Sequence, residues 1–184
     1  MDGSSAFSPP LRYSRSARLL HWLTVVLVLT TIPAGLVMVQ DGLSRPLQDA
    51  LFLYHKNIGP VILLLVLLRL VVRLVSPPPP LPASLPTIQA LIARAVHWML
   101  YIVLVALVIS GTVRVQAGGF PMEIWDPVLS GMVGKDEALA KSASELHELL
   151  KSVLIALIAL HAGAAALHGL VKRDGVFSRM WPPA

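Results

Sequence analysis

The chain has 184 residues, 55% of them hydrophobic and only 14% charged, with mean hydropathy +0.73, a net charge of +5 and no cysteine. Soluble domains run at roughly 45–50% apolar and about 25% charged residues, so a water-soluble globule and a disordered chain are both excluded. The missing thiols exclude disulfides, iron–sulfur clusters, thiolate zinc sites and covalent CxxCH haem attachment, and cations in so apolar a chain point to basic loops against an anionic membrane surface rather than to nucleic acid.

Residues 1–11, rich in Gly, Ser and Pro, read as a tail with little to bury. The first apolar run, Leu19–Val39, holds 21 uncharged residues, enough to cross a hydrocarbon core that needs about 20. It exceeds the roughly 7–15-residue apolar core of a cleaved signal peptide, so a retained helix is predicted over about 18–40, with Pro33 kinking it near Gly35. After a polar loop at 40–50, a second helix is predicted over about 51–75. Its uncharged core is only Asn57–Leu68, 12 residues, but the flanking Lys56, Arg69 and Arg73 can snorkel to the interfaces. The Pro-rich stretch 76–86 cannot be helical and reads as a stiff bridge. Ala95–Val113 (19 residues) and Ser152–Val171 (20 residues) supply two further spans, predicted over about 91–114 and 144–172. Between them lies the longest loop, 115–143, with a short surface helix expected near its end. The runs are continuous rather than alternating, which excludes membrane strands. The predicted fold is a single-domain, all-α membrane protein: a four-transmembrane-helix bundle.

Charge sets the orientation. The side holding both tails and the Pro-rich bridge carries Arg12, Arg15, Arg18, Arg69, Arg73, Arg94, Lys172, Arg173 and Arg179, nine cations against Asp2 and Asp174. The other side has six cations against eight acids. The positive-inside rule therefore predicts both termini on the cytoplasmic side of the membrane, with loop 76–86 on that side and loop 115–143 on the opposite one.

All six histidines, His21, His55, His97, His147, His161 and His168, lie in or at the ends of apolar helices. Ionisable groups in a bilayer are costly unless partnered, so each is a functional candidate; the alternative for any one of them is a helix-end contact with headgroups or a carbonyl. His147 and His161 are 14 residues apart, on one face to within about 40° and roughly 21 Å apart in depth. The same interval separates His21 from Gly35, His97 from Gly111 and His55 from Arg69. One layer then receives His21, His97, His161 and Arg69, and the other His55, His147, Gly35, Gly59 and Gly111. Glycine inside a helix costs about 1 kcal/mol against alanine, which is reasonable where a flat macrocycle approaches the backbone; ordinary small-residue helix packing is the other explanation. Zinc would need four ligands and di-iron inward carboxylates, neither of which the spans supply. Two neutral imidazoles suffice for bis-His haem, and two layers imply two haems. Arg69 and Arg73 could pair with propionates or with lipid phosphates. This pattern does not choose between His21 and His97.

The runs Arg18-Leu-Leu-His21-Trp22, Tyr54-His55-Lys56-Asn57-Ile58-Gly59, Glu145-Leu-His147-Glu148, Leu160-His161-Ala162 through Leu167-His168, and Arg173-Asp174-Gly175 to Arg179-Met180-Trp181-Pro182 resemble the bacterial cytochrome b561 family over about residues 12–183. That family is similar to the cytochrome b subunits of membrane formate dehydrogenases and nickel–iron hydrogenases. The resemblance implies two b-type haems and electron exchange with a membrane quinone. It further implies that His55 and His147 ligate the periplasmic haem and His21 and His161 the cytoplasmic one, leaving His97 and His168 as candidates for proton delivery, quinone contact or a plain interfacial role.

The expected function is electron transfer from a periplasmic donor to quinone. Some family members are thought to use superoxide as donor, which would make the protein an oxidoreductase, and Arg114, Lys135 and Lys141 could focus a small anion, although Glu123, Asp126, Asp136 and Glu137 share the loop. The alternative is a haem-bearing anchor subunit of a larger dehydrogenase or hydrogenase. Short tails favour a self-contained, homo-oligomeric unit over that alternative, and a haem-free transporter or structural bundle is the third reading.

Overall fold

The computed structural model describes residues 12–82 and 85–181; the predicted N-terminal tail and the middle of the Pro-rich bridge fall outside them. Helix α1 is Arg15–Val37, opened by Ser14, whose hydroxyl accepts the Ala17 N–H at 3.3 Å. Helix α2 is Arg45–Val75 and has a proline in its first turn, where the missing N–H costs nothing. Helix α3, Thr87–Ala117, begins directly after Pro86 and ends at Gly118 and Gly119, the latter at φ 76°. A one-turn helix α4, Asp126–Leu129, follows a 3₁₀ turn at Glu123–Trp125. Helix α5 is Glu137–Ala166, its first turn capped by Asp136, which accepts the Leu139 N–H at 3.0 Å.

Four helices, α1, α2, α3 and α5 with its extension to Lys172, are long and apolar enough to cross a membrane. Among the described residues there is no strand. The fold is thus an all-α membrane bundle. The predicted limits of α2 and α5 were short on the loop side, whereas that of α1 ran three residues past Val37. Helix α2 starts six residues before position 51, and α5 starts seven before 144, so the surface helix expected late in the long loop is the first two turns of α5 itself. Helix α5 also does not reach 172 as an α-helix: Leu167–Lys172 is a π-helical turn, closed by Arg173 at φ 50° and Gly175 at φ 80°.

Helix α1 packs chiefly on α2, and α3 on α5, while the α2–α3 contact joins the two pairs. Val66, with no exposed surface, sits at the centre of a core with Val28, Ile62, Leu104, Leu107, Leu154 and Leu157. Large aliphatic side chains such as Leu74 and Leu170 are exposed, as a lipid-facing surface requires. In lipid, apolar contact alone does not drive helices together; packing and interhelical hydrogen bonds do. One such bond ties Thr30 of α1 to the Tyr54 hydroxyl of α2 at 2.6 Å.

The two ends of the bundle are finished differently. At one, here the terminal end, the N- and C-terminal segments meet: the Tyr13 N–H donates to the Arg179 carbonyl at 3.2 Å, and the Trp22 indole N–H donates to the Met180 carbonyl at 3.1 Å. Trp22 lies edge-on to Trp181, which stacks on Phe177, and the Arg179 guanidinium donates to the Pro80 carbonyl. At the other, the far end, residues 120–126 lie across α2 as a strap. The buried Asn57 donates to the Leu53 carbonyl at 2.8 Å and to the Glu123 carboxylate at 3.0 Å, and accepts the Ile124 N–H at 3.1 Å. The Trp125 indole N–H donates to the Asn57 carbonyl, and Lys56 pairs with Glu123 while donating to the Pro121 carbonyl. These partners hold Glu123 at φ 46°, a left-handed conformation that non-glycine residues seldom adopt.

Removing the hub should release the strap. Asn57→Ala leaves the Ile124 amide and one bond of the Glu123 carboxylate unmade, a cost of about 1–3 kcal/mol. Hydrogen exchange of the amides in 122–126 should quicken while α1 remains protected; unchanged exchange there would show that Trp125 and Lys56 alone hold the segment.

Candidate functional site

Helices α2 and α5 each carry a histidine to the far end, and their rings face one another across the seam between the two helix pairs. The centroids of His55 and His147 are 6.2 Å apart, with planes at 76°. His55 Nδ1–H donates to the Thr31 carbonyl of α1 at 3.0 Å. His147 Nδ1–H donates to the Leu107 carbonyl of α3 at 3.0 Å, with Ser110 Oγ also near at 3.3 Å. A carbonyl can only accept, so the proton sits on Nδ1 and each Nε2 carries a lone pair, the arrangement of a metal-ligating imidazole.

Gly35 and Gly111 stand directly against these rings. A Cβ on Gly35 would fall 2.5 Å from His55 Cε1, and one on Gly111 would fall 3.1 Å from His147 Cε1. The glycines therefore admit the imidazoles themselves, a closer occupant than the macrocycle expected from the sequence. Gly59 is different: a Cβ there would meet Val108 at an ordinary 3.8 Å. All three glycines, both rings and Thr31 line a cavity of about 770 Å³, within the roughly 300–1,000 Å³ typical of ligand sites. The Thr31 hydroxyl is buried without a hydrogen-bond partner. Lys56, Arg114, Glu148 and Lys151 also line the cavity, and Lys151 pairs with Glu148.

At the terminal end, His21 of α1 and His161 of α5 repeat the arrangement, with centroids 6.2 Å apart and planes at 73°. The ring of His97 of α3 is also close to His161, with centroids 5.3 Å apart. Neither His21 nor His161 lines the large cavity, and the second sphere differs. The partner of His21 Nδ1 is the Arg69 guanidinium, at 3.1 Å. Arg69 stacks over Tyr101 at 5.3 Å and Arg73 over Trp98 at 5.5 Å. Tyr13 closes a small cleft with both arginines; burial pushes its hydroxyl above the ordinary value despite the pull of Arg73, so the phenol is neutral and offers those cations no counter-charge. His168 is turned towards the tail, its Nδ1 2.6 Å from the Asp174 carboxylate.

An imidazole nitrogen lies about 2 Å from a bound metal and about 1.1 Å from its own ring centre, so two rings clasping one iron stand about 6.3 Å apart. Both pairs at 6.2 Å meet that requirement; His97 and His161 are closer than it allows. The donor set thus fits bis-His haem at the far end in spacing, tautomer and room, and at the terminal end in spacing.

Sequence reasoning brought out every histidine but not what holds them. Thr31 and Leu107 act through backbone carbonyls, which leave no side-chain signature. Asn57 did have one, since it is an amide inside an otherwise apolar span. Three of the loop acids are occupied by the fold itself: Glu123 with Lys56 and Asn57, Asp126 with the Met122 N–H at 2.8 Å, and Asp136 as the cap of α5.

Comparison with known proteins agrees with this geometry. The family model for prokaryotic cytochrome b561 matches residues 12–183. Cytochrome b561 homolog 2 of Escherichia coli (strain K12) is 32% identical over 178 residues, covering 93% of this chain and 92% of that one. A probable superoxide oxidase, CybB, of Yersinia pestis is 30% identical over 164 residues, covering 89% and 92%, and cytochrome b561 homolog 1 of Escherichia coli (strain K12) is 27% identical over 173 residues, covering 93% and 97%. With a match across almost its whole length and four apolar helices to carry it, the chain belongs to the prokaryotic cytochrome b561 family and is a multi-pass, b-haem electron-transfer protein of the bacterial inner membrane.

Proposed function

We propose that the protein carries electrons across the membrane through two bis-His haems, from a periplasmic donor to membrane quinone. The single observation behind this is the repetition of one 6.2 Å imidazole pair at each end of the bundle. His55 and His147 hold the far-end haem, and His21 and His161 the terminal-end haem. The excess of cations on the terminal side assigns that end to the cytoplasm.

A b-type haem between two imidazoles exchanges one electron at its iron. The protein's role is to hold the rings and keep water out. The Thr31 and Leu107 carbonyls fix the ring orientation and keep the ligating nitrogens unprotonated. Gly35 and Gly111 let the rings lie against α1 and α3, and Gly59 leaves the far-end cavity wall open. The strap 120–126 supplies Met122, which is 2% exposed and covers the cavity.

The name of the Yersinia pestis relative makes superoxide a donor to test first. Arg114 lines the far-end cavity, and three acids of the loop are engaged in its own bonds, which favours approach of a small anion. At the terminal end, His97 and the His168–Asp174 pair are the groups available to exchange protons with a quinone. Stopped-flow mixing of the reduced and oxidised protein with superoxide, and with quinone and quinol, tests the function. Haem reduction by superoxide that reverses on adding quinone is the expected result; no reaction with either would overturn it.

Three sets of substitutions test the assignments. His147→Ala should leave one haem per chain in a pyridine-haemochrome assay, because each pair is independent; loss of both or neither contradicts the pairing. His21→Ala should likewise remove one, whereas His97→Ala should retain two. The glycines should be graded: Gly35→Ala drives a methyl into His55 and should abolish far-end haem binding, with a strain of about 1–3 kcal/mol. Gly111→Ala asks His147 to yield only a few tenths of an ångström and should keep the haem with a shifted absorption band.

A further inference from the structure

The two imidazole pairs are alike in spacing, and a cation stands near each, Arg114 on the far-end cavity wall and Arg69 at His21, but the partners of the ring nitrogens differ. At the far end both Nδ1–H groups donate to backbone carbonyls. Each such bond makes the ring a stronger electron donor to a metal on its other nitrogen, which favours the oxidised metal. At the terminal end, among the described residues, no carbonyl is bonded to His21 Nδ1. A guanidinium stands 3.1 Å away, itself held over the Tyr101 ring. No carboxylate pairs with Arg69 among the described residues, and the nearby Tyr13 phenol is neutral. Its positive charge therefore acts on the site across a poorly screening interior.

We propose that Arg69 makes the His21–His161 haem the higher-potential of the two, so that an electron entering at the far end settles at the terminal end. This rests on the two-haem reading above. The physical basis is charge: reduction removes one positive charge from the iron porphyrin, and a fixed cation beside the ligand favours the state with less of it. The carbonyls at the other pair push in the reverse sense, so the two effects add in separating the sites. Arg69 is a charge-setting residue, acting through space from beside His21. Iron on His21 Nε2 leaves the ring proton on Nδ1, and Arg69 then gives up one hydrogen bond while the Tyr101 ring keeps its charge in place.

Potentiometric titration of the purified holoprotein tests this, with haem counted in each sample. Wild type should show two midpoints. Arg69→Gln should move the more positive one to lower potential and leave the other unchanged, and Arg69→Lys, which keeps the charge, should restore most of the separation. The single-haem proteins provide a second measurement that survives if Arg69→Gln loses its haem: the haem remaining in His55→Ala should titrate at a more positive potential than the one remaining in His21→Ala. Two haems with both midpoints unmoved in Arg69→Gln, a shift of the more negative midpoint instead, or the reverse order in the single-haem proteins would overturn the assignment to Arg69. Fewer than two haems in wild type would instead overturn the two-haem reading on which it stands.

Discussion

An imidazole inside a bilayer is tolerable only when its nitrogens are used, and this constraint organises the bundle. In the far-end pair, one nitrogen of each ring is bonded to a carbonyl of the neighbouring helix, which leaves the other with its lone pair. The carbonyls come from the helices that pair with the ligand-bearing ones: Thr31 of α1 fixes His55 of α2, and Leu107 of α3 fixes His147 of α5. Each helix pair is therefore a ring and its holder. The two pairs close on one another through the seam where the rings meet, and helix α5 serves both ends because His147 and His161 are separated by about 21 Å on nearly one face.

This explains why glycine is needed where it is. For a ring on α2 to bond a carbonyl of α1, the two backbones must come close at that level, and the side chain one turn beyond Thr31 must vanish. Gly35 is that residue, and Gly111 does the same for His147 a turn beyond Leu107. Helix proximity, ring orientation and the tautomer thus depend on one another. A methyl group at Gly35 would disturb all three, although it touches no charge and breaks no bond of its own.

The spans, the topology and the layering of the histidines were legible in the sequence because they are properties of spacing along a helix. Apolar run length found four spans, and the 14-residue interval placed His55 with His147. Spacing could not rank His21 against His97, since both lie at the same depth; their separations from His161, 6.2 Å and 5.3 Å, are visible only in three dimensions. The early starts of α2 and α5 were missed because charge ends an apolar run without ending a helix: Arg45, Asp49, Glu137 and Lys141 all continue the helical turns into the aqueous layer. The strap over the far end was hidden for another reason. Its bonds join residues more than sixty positions apart, and only the polar Asn57 inside a span hinted that something had to reach it.

The two ends also differ in how they are sealed, and the difference suits opposite tasks. The far end is covered by a strap bonded to the very turn that follows His55, so the cavity there is bounded by groups whose position is coupled to the ligand helix. The terminal end is closed by the chain's own C-terminal segment, which leaves the bundle through a π-helical turn, folds back at Arg173 and Gly175 and lays Trp181, itself stacked on Phe177, against Trp22. A π turn widens the helix and loosens its hydrogen bonding, and the only carboxylate side chain among the described residues of that segment is already committed to His168. An end built from arginines, aromatic rings and a histidine–carboxylate pair can hold charge and exchange protons. One built from carbonyl-fixed imidazoles under a strap can hold a cofactor rigidly, with Arg114 and the ion-paired Lys56 and Lys151 as the cations on its cavity wall.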